Sequence, residues 1–186
     1  MCLLGVAIDI SERKRIEEIL RENEAILNQA QEIANIGSYI WDIKSDQLEW
    51  SPHMYEIAGI DPETFIGNLS EMINKMIHPD DRDQVNKQIA EMIAQKHTSE
   101  MEFRFVRPDG DIRWLRSRAR FTYDQQGNPS LTIGVHHDIT DYKNTQEELQ
   151  KHRDHLEELV RERTEKLNKM LNMMAVSYTH LTLPTN

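Results

Sequence analysis

Residues 101–123 read MEFRFVRPDGDIRWLRSRARFTY, and this stretch decides the fold. Met101, Phe103 and Phe105 alternate with Glu102 and Arg104, the period-two pattern of a half-buried strand. Pro108-Asp109-Gly110-Asp111 interrupts it, and Asp-Gly between alternating runs is a strong hairpin signal. Ile112 to Tyr123 then alternates again through Trp114, with Arg113, Arg116, Arg118 and Arg120 on polar positions. Two long antiparallel strands follow from this pattern. The arginines are expected to pair with Glu100 and Glu102 across the hairpin, each exposed pair contributing at most about 1 kcal/mol.

A second turn at Asp124 to Pro129 leads to a third strand, Ser130 to Ile139, and a helix begins at Thr140. This strand-to-helix junction has a counterpart near the start of the chain. Residues 5–15 read GVAIDISERKR and residues 134–144 read GVHHDITDYKN, with Gly, Val, Asp, Ile and Lys recurring at a constant offset of 129. A fixed-offset repeat indicates copies of one structural unit. Residues 1–10 are therefore expected to be the last strand of a preceding, truncated copy. Ser11 and Thr140 are placed to cap the following helices, and Glu12 and Asp141 put negative charge at their positive ends.

Upstream of the hairpin, Ser38 to Ile43 and Gln47 to Trp50 read as short strands around a Lys-Ser-Asp turn. Ser51-Pro52 opens a short helix. Residues 61–77 suggest helical turns, and His78-Pro79-Asp80-Asp81 starts a helix to about Lys96 with Val85, Ile89, Met92 and Ile93 on one face. Residues 11–36 are helical, with Gly37 as the expected break. There Ile16, Leu20, Asn23, Leu27, Ala30 and Ala34 recur at alternating spacings of four and three, a coiled-coil seam containing one polar residue. An amphipathic helix lying on its own domain is the alternative. Beyond Thr140 a second seam runs through Leu149, Arg153, Leu156, Val160, Arg163, Leu167, Met170 and Met174.

In this order, Gly37-x-x-x-Trp41, His78-Pro79-Asp80-Asp81-Arg82, Phe103-Arg104-x-x-Arg107-Pro108-Asp109-Gly110, Arg113-Trp114-Leu115, Gly127-x-Pro129 and Gly134…Asp138-Ile139-Thr140 resemble the PAS domains of sensor proteins, of fold type 3 with a PAC motif. The resemblance covers about residues 30–143. It implies an α+β fold: a five-stranded antiparallel sheet with short helices on one face, flanked by N- and C-terminal coiled-coil helices. It also implies signal transfer through Asp138, Ile139 and Thr140. The Leu-Val-Arg-Glu-Arg-Thr-Glu run at 159–165 is similar to the linker that follows such domains in sensor histidine kinases. The expected domains are a linker helix at 11–36, the PAS domain at 37–140 and a C-terminal coiled coil at 141–175. Residues 176–186, VSYTHLTLPTN, lack the charged heptads and resemble one reading frame of a transposase sequencing adapter. They are expected to be non-native and are left out of fold reasoning.

Composition bounds the remaining classes. The chain has 186 residues, a net charge of −10, 38% hydrophobic and 29% charged residues. The acidic balance argues against a nucleic-acid surface, and no stretch approaches the roughly 20 apolar residues of a membrane span. One cysteine, Cys2, supports neither a disulfide framework nor a cysteine zinc site. A cytoplasmic location fits these features.

Catalytic chemistry is not expected in this segment, and the enzyme class of the parent is left open, with a protein histidine kinase favoured. No histidine stands in a His-Glu-x-Arg-x-Pro context, and no phosphate-binding glycine loop exists. His152 and His155 read as surface residues. Adjacent His136 and His137 face opposite sides of a strand, so no metal site is expected. No cofactor is assigned: a flavin-reactive cysteine is missing from the complete domain, and His97 is the one approximate haem candidate. Trp41, Trp50, Phe103 and Trp114 are candidate walls of a ligand pocket, although aromatic residues at strand spacing ordinarily belong to the core. The seam through Leu149, Leu156, Val160 and Leu167 makes a homodimer the expected assembly, with adjacent PAS and kinase domains of the parent chain as partners. The functional expectation is a sensory and signal-relay module of a two-component sensor histidine kinase. A module of a diguanylate cyclase or phosphodiesterase, or a ligand-free dimerisation spacer, stays open beside it.

Overall fold

A computed structural model describes residues 11–95 and 98–181. The junction repeat at residues 1–10, with Cys2 and Asp9, lies outside them, as do His97 and the last five residues. The chain divides into two compact units, one ending at Thr140 and the other beginning at Asp141. The second unit is the body of a long helix, Thr140–Leu181 (α5).

The first unit opens with helix α1, Ser11–Ile33, and strands β1, Ile36–Asp42, and β2, Gln47–Trp50. Helices α2, Pro52–Ala58, α3, Leu69–Met76, and α4, Pro79–Gln95, follow. Strands β3, Ser99–Val106, β4, Ile112–Tyr123, and β5, Pro129–Asp138, complete it. The sheet is antiparallel in the order β2-β1-β5-β4-β3. The first and last strands thus lie side by side in its middle, and the helices of the β2–β3 connection supply the core. Met54, Ile57, Met72, Ile73, Val85 and Met92 are buried there against Trp41, Met101, Phe103, Phe105 and Leu115 of the sheet.

Several local signals explain these elements. Asn68 caps α3 by accepting from the Glu71 N–H at 2.8 Å. Asp81 at the start of α4 holds both the backbone N–H of Arg104 (2.8 Å) and its guanidinium Nε (3.0 Å), and the His78 N–H donates to the Arg104 carbonyl at 2.9 Å. The His-Pro-Asp-Asp segment is therefore the clasp between α4 and edge strand β3. Arg104 holds the Asp81 carboxyl below its ordinary value.

The structure corrects three readings. Helix α1 ends at Ile33, not at Gly37. The left-handed residue after it is Asn35, with φ of 52°, a conformation that asparagine tolerates. Gly37 lies inside β1, where any Cβ would come within 2.6 Å of the Met54 side chain. Trp114 does not share a face with the buried residues of β4. Strict alternation puts Leu115, Ser117 and Ala119 inward and Trp114 with Arg116 and Arg118, and Arg104 sits 5.8 Å over its ring. Arg113 has the inward parity, at the strand's end, where Asp111 and Asp138 pair with it. Arg116 and Arg118 do meet Glu102 and Glu100 across the hairpin.

Candidate functional site

A cavity of about 40 Å³ lies between the inner face of the sheet and helices α3 and α4. Its walls are largely apolar: Trp41, Phe103 and Phe121 from the strands, and Met72, Met92 and Met101 among the aliphatic groups. Of the four aromatic residues singled out from the sequence, Trp41 and Phe103 line it. Trp50 lies in a separate aromatic cluster, stacked on Phe65 at 4.0 Å and edge-on to Tyr55 at 5.4 Å. Trp114 lies on the other face of the sheet. The Trp41 Nε1–H donates to Asp46 at 2.9 Å, which leaves the indole's carbon face to the cavity.

The polar lining comes from residues that periodicity does not single out. Tyr39, Ser117, Thr132 and His136 all face the cavity. Tyr39 pairs with Gly134 across β1 and β5, and a Cβ on Gly134 would fall 2.4 Å from the phenol ring. Glycine there lets the ring lie against the β5 backbone and stack on His136 at 4.6 Å. Phe103 meets the other side of that imidazole edge-on at 5.7 Å. Burial lowers the His136 pKa to about 4, so the ring is neutral at physiological pH. Burial raises the Tyr39 phenol above its ordinary value, partly offset by its hydrogen bond with Ser117. Thr132 Oγ1 and His136 Nδ1 have no hydrogen-bond partner among the described residues. Buried polar atoms are nearly always paired, and each unpaired one costs about 1–3 kcal/mol.

Two residues beyond His136, the same strand forms a second polar cluster. The Asp138 carboxylate is buried, accepts from the backbone N–H of Thr140 at 2.9 Å and from its hydroxyl, and faces Arg113 at 3.5 Å. The Thr140 hydroxyl in turn accepts from the Trp114 N–H at 2.9 Å, and the Ile139 N–H donates to the Trp114 carbonyl at 2.8 Å. The hydroxyl thus ties the first residue of α5 back to β4. The Asp138 N–H donates to the carbonyl of Asn35 at 3.0 Å. Asn35, just beyond α1, and Thr140, the first residue of α5, are therefore both held by Asp138.

The seam residues Leu149, Leu156, Val160 and Leu167 of α5 are 59–70% exposed in the single chain. On α1, Ile16, Leu20 and Leu27 are 53–62% exposed, so they do not pack on their own domain. Among the described residues, no cluster of three metal-ligating side chains occurs, and no helix is long and apolar enough to cross a membrane.

Residues 47–136 match the family model of the PAS fold. The chain is 27% identical over 148 residues to the probable diguanylate cyclase DgcE of Escherichia coli K12, across 80% of its own length. It is 26% identical over 142 residues to the two-component sensor PprA of Pseudomonas aeruginosa, across 75% of its length. It spans only 13% and 15% of those two proteins. Among solved structures, a sensory box histidine kinase/response regulator from Burkholderia thailandensis E264 aligns with a TM-score of 0.59 and 28% identity. That alignment covers 70% of this chain and 96% of the other. The N-terminal domain of a diguanylate cyclase with PAS/PAC sensor from Marinobacter aquaeolei aligns with a TM-score of 0.54 at 17% identity, covering 58% and 98%, and supports the fold alone. Residues 47–136 therefore carry the PAS fold, and the chain is similar across them to a two-component sensor, a sensory box histidine kinase and a probable diguanylate cyclase.

Proposed function

We propose that this chain is the sensory and relay module of a two-component sensor histidine kinase, reading a ligand in the cavity and passing the state to helical output. In this reading residues 37–140 sense, 11–36 form the input helix, and 141–175 form the output coiled coil of a parallel homodimer. One observation carries it. Strand β5 lines the cavity with Thr132 and His136, and two residues later Asp138 holds both Asn35 and Thr140. The exposed heptad seams on α1 and α5 support dimerisation, since a stripe of that width is ordinarily covered by a partner helix. The relationship to the two-component sensor PprA supports the kinase output. The relationship to DgcE supports a second reading, in which the same module serves a diguanylate cyclase. A histidine box or a Gly-Gly-Asp-Glu-Phe type motif in the parent reading frame separates the two.

The relay is tested with Asp138→Ala in the parent kinase. The variant should keep its autophosphorylation machinery and lose its response to the stimulus. In the isolated chain, the lost charge-assisted bonds should lower stability by about 1–3 kcal/mol. A variant that responds with wild-type amplitude would show that Asp138 is a structural tie only.

A further inference from the structure

Helix α1 carries more apolar surface than one two-stranded seam uses. The seam of Ile16, Leu20, Asn23, Leu27, Ala30 and Ala34 leaves out Ile19, Ile26 and Ile33, which recur every seven residues and are 46–88% exposed. With Ile16, Asn23 and Ala30, these isoleucines make a second series at spacings of three, four, three, four and three. That is again a heptad pattern. Two seams therefore share one middle column, Ile16-Asn23-Ala30. Leu20-Leu27-Ala34 lies on one side of it and Ile19-Ile26-Ile33 on the other.

The two seams are closely matched, with three isoleucines against two leucines and an alanine beside the same middle column. Columns of a heptad helix stand about 51° apart, so that much rotation carries the helix from one seam to the other. The shared Asn23 points to the occupant. It takes an a position in the isoleucine series and a d position in the leucine series. A side-chain amide holds both a donor and an acceptor, and the same amide on an identical helix satisfies it. A second copy of this chain supplies that amide by symmetry, whereas a helix of another sequence would need a polar group at this one layer. A turn of α1 is delivered to the domain at short range. Only Ala34 and Asn35 separate α1 from β1, and the Gln31 side chain donates to the Ser38 hydroxyl of β1 at 3.2 Å.

We propose that α1 pairs with α1 of a second copy through either of these two seams, and that passage between them turns the helix by about 51° against its partner. The proposal rests on the dimeric reading of the chain. Whichever seam is closed, the other outer column stays at its edge, ready to replace it.

The test uses the whole chain with its one cysteine removed, Cys2→Ser, and single cysteines placed as Ile26→Cys, Leu27→Cys or Ala25→Cys. A disulfide needs Cβ atoms about 4 Å apart, which the core layers of a helix pair approach and its outer columns do not. Under mild oxidation Ile26→Cys and Leu27→Cys should both give covalent dimers. Ala25→Cys, on the opposite face, should give at least about ten-fold less. Adding Ile19→Glu and Ile33→Glu should cut the Ile26→Cys yield several-fold and spare the Leu27→Cys yield; adding Leu20→Glu should do the reverse. Cross-linking at only one of positions 26 and 27, or an equal loss at both when either column is blocked, would show a single contact face. That result would overturn the two seams and leave the dimer standing, as would a tetramer in sedimentation. No cross-link at 26 or 27, or an equal yield at 25, would overturn both the seams and the part of α1 in the dimer. If a glutamate variant fails to fold, the single cysteines in the otherwise unaltered helix decide alone.

Discussion

His136 gives the most direct handle on the interior of this domain. Its imidazole is buried between Tyr39 and Phe103, and its pKa falls from 6.5 to about 4 in the folded chain. Above pH 6.5 the ring is neutral in both states and contributes no pH dependence. Below 6.5 the unfolded chain binds a proton that the folded chain refuses, so stability falls as pH falls toward 4. Linkage over those two values gives a loss of about 2 kcal/mol by pH 5 and about 3 kcal/mol by pH 4. A domain of ordinary stability holds only about 5–15 kcal/mol in all. The other lowered groups act elsewhere on the scale. Asp42, Asp81 and Asp124 are carboxyls held below 3.8, and Glu147 is held below 4.5 by Lys151, so their contributions are kept above those values and lost only under stronger acid. Between pH 6.5 and 5, His136 is the group whose shift changes stability most, and the comparison with a variant lacking it removes the rest.

The assay is urea unfolding at pH 7, 6, 5 and 4.5, for wild type and for His136→Phe. Phenylalanine keeps a flat ring against Tyr39 and removes the titrating nitrogen. The wild type should lose about 2 kcal/mol more than the variant between pH 7 and pH 5, seen as a lower urea midpoint at unchanged slope. Subtracting the variant removes every titration common to both chains. If the two midpoints fall in parallel, His136 is not held neutral by burial, and a neutral imidazole cannot be part of the cavity wall.

Other perturbations probe separate parts of the molecule. Gly134→Ala should destabilise the domain by about 1–3 kcal/mol, because its Cβ would meet the Tyr39 ring at 2.4 Å; a Tyr39→Ala background should relieve most of that loss in urea melts. Placing aspartate at both Leu156 and Val160 puts charge into the proposed seam and should convert the dimer to monomer in sedimentation, whereas an unchanged dimer would reject that seam. Removing residues 176–186 should leave the melting temperature of the globular unit within a degree or two, and a larger fall would count against reading that segment as non-native.

The strands and turns were legible because their signals are local. Phe103 and Phe105 alternate with charged neighbours, Asp109-Gly110 marks its own hairpin, and Arg116 and Arg118 face acids across it. The cavity's polar residues were not legible, because strand parity is ambiguous when one set is Leu-Ile-Val and the other Thr-Gly-His. Hydrophobicity alone turns Leu131, Ile133 and Val135 inward; pairing with β1 and β4 turns Thr132 and His136 inward instead. The one available signal was Gly134 opposite an aromatic residue, and it requires knowing that β1 and β5 are neighbours. Trp50 and Trp114 illustrate the same limit. Both are aromatic residues at strand spacing, yet one joins the Tyr55–Phe65 cluster and the other packs under Arg104. The left-handed turn at Asn35 escaped because glycine two residues later is the commoner breaker.

On the proposed reading, the two halves of the site must be coupled through β5 itself. A ligand can shift the junction only if its affinity differs between two junction arrangements. The strand is paired on both sides, to β1 and β4, so a displacement at His136 is carried along it rather than dissipated in a loop. What it reaches first is the Asp138 carboxylate, whose bonds to Thr140 and Arg113 are together in the range of about 1–3 kcal/mol. A ten-fold difference in ligand affinity supplies about 1.4 kcal/mol, so even modest discrimination matches the tie that must give way.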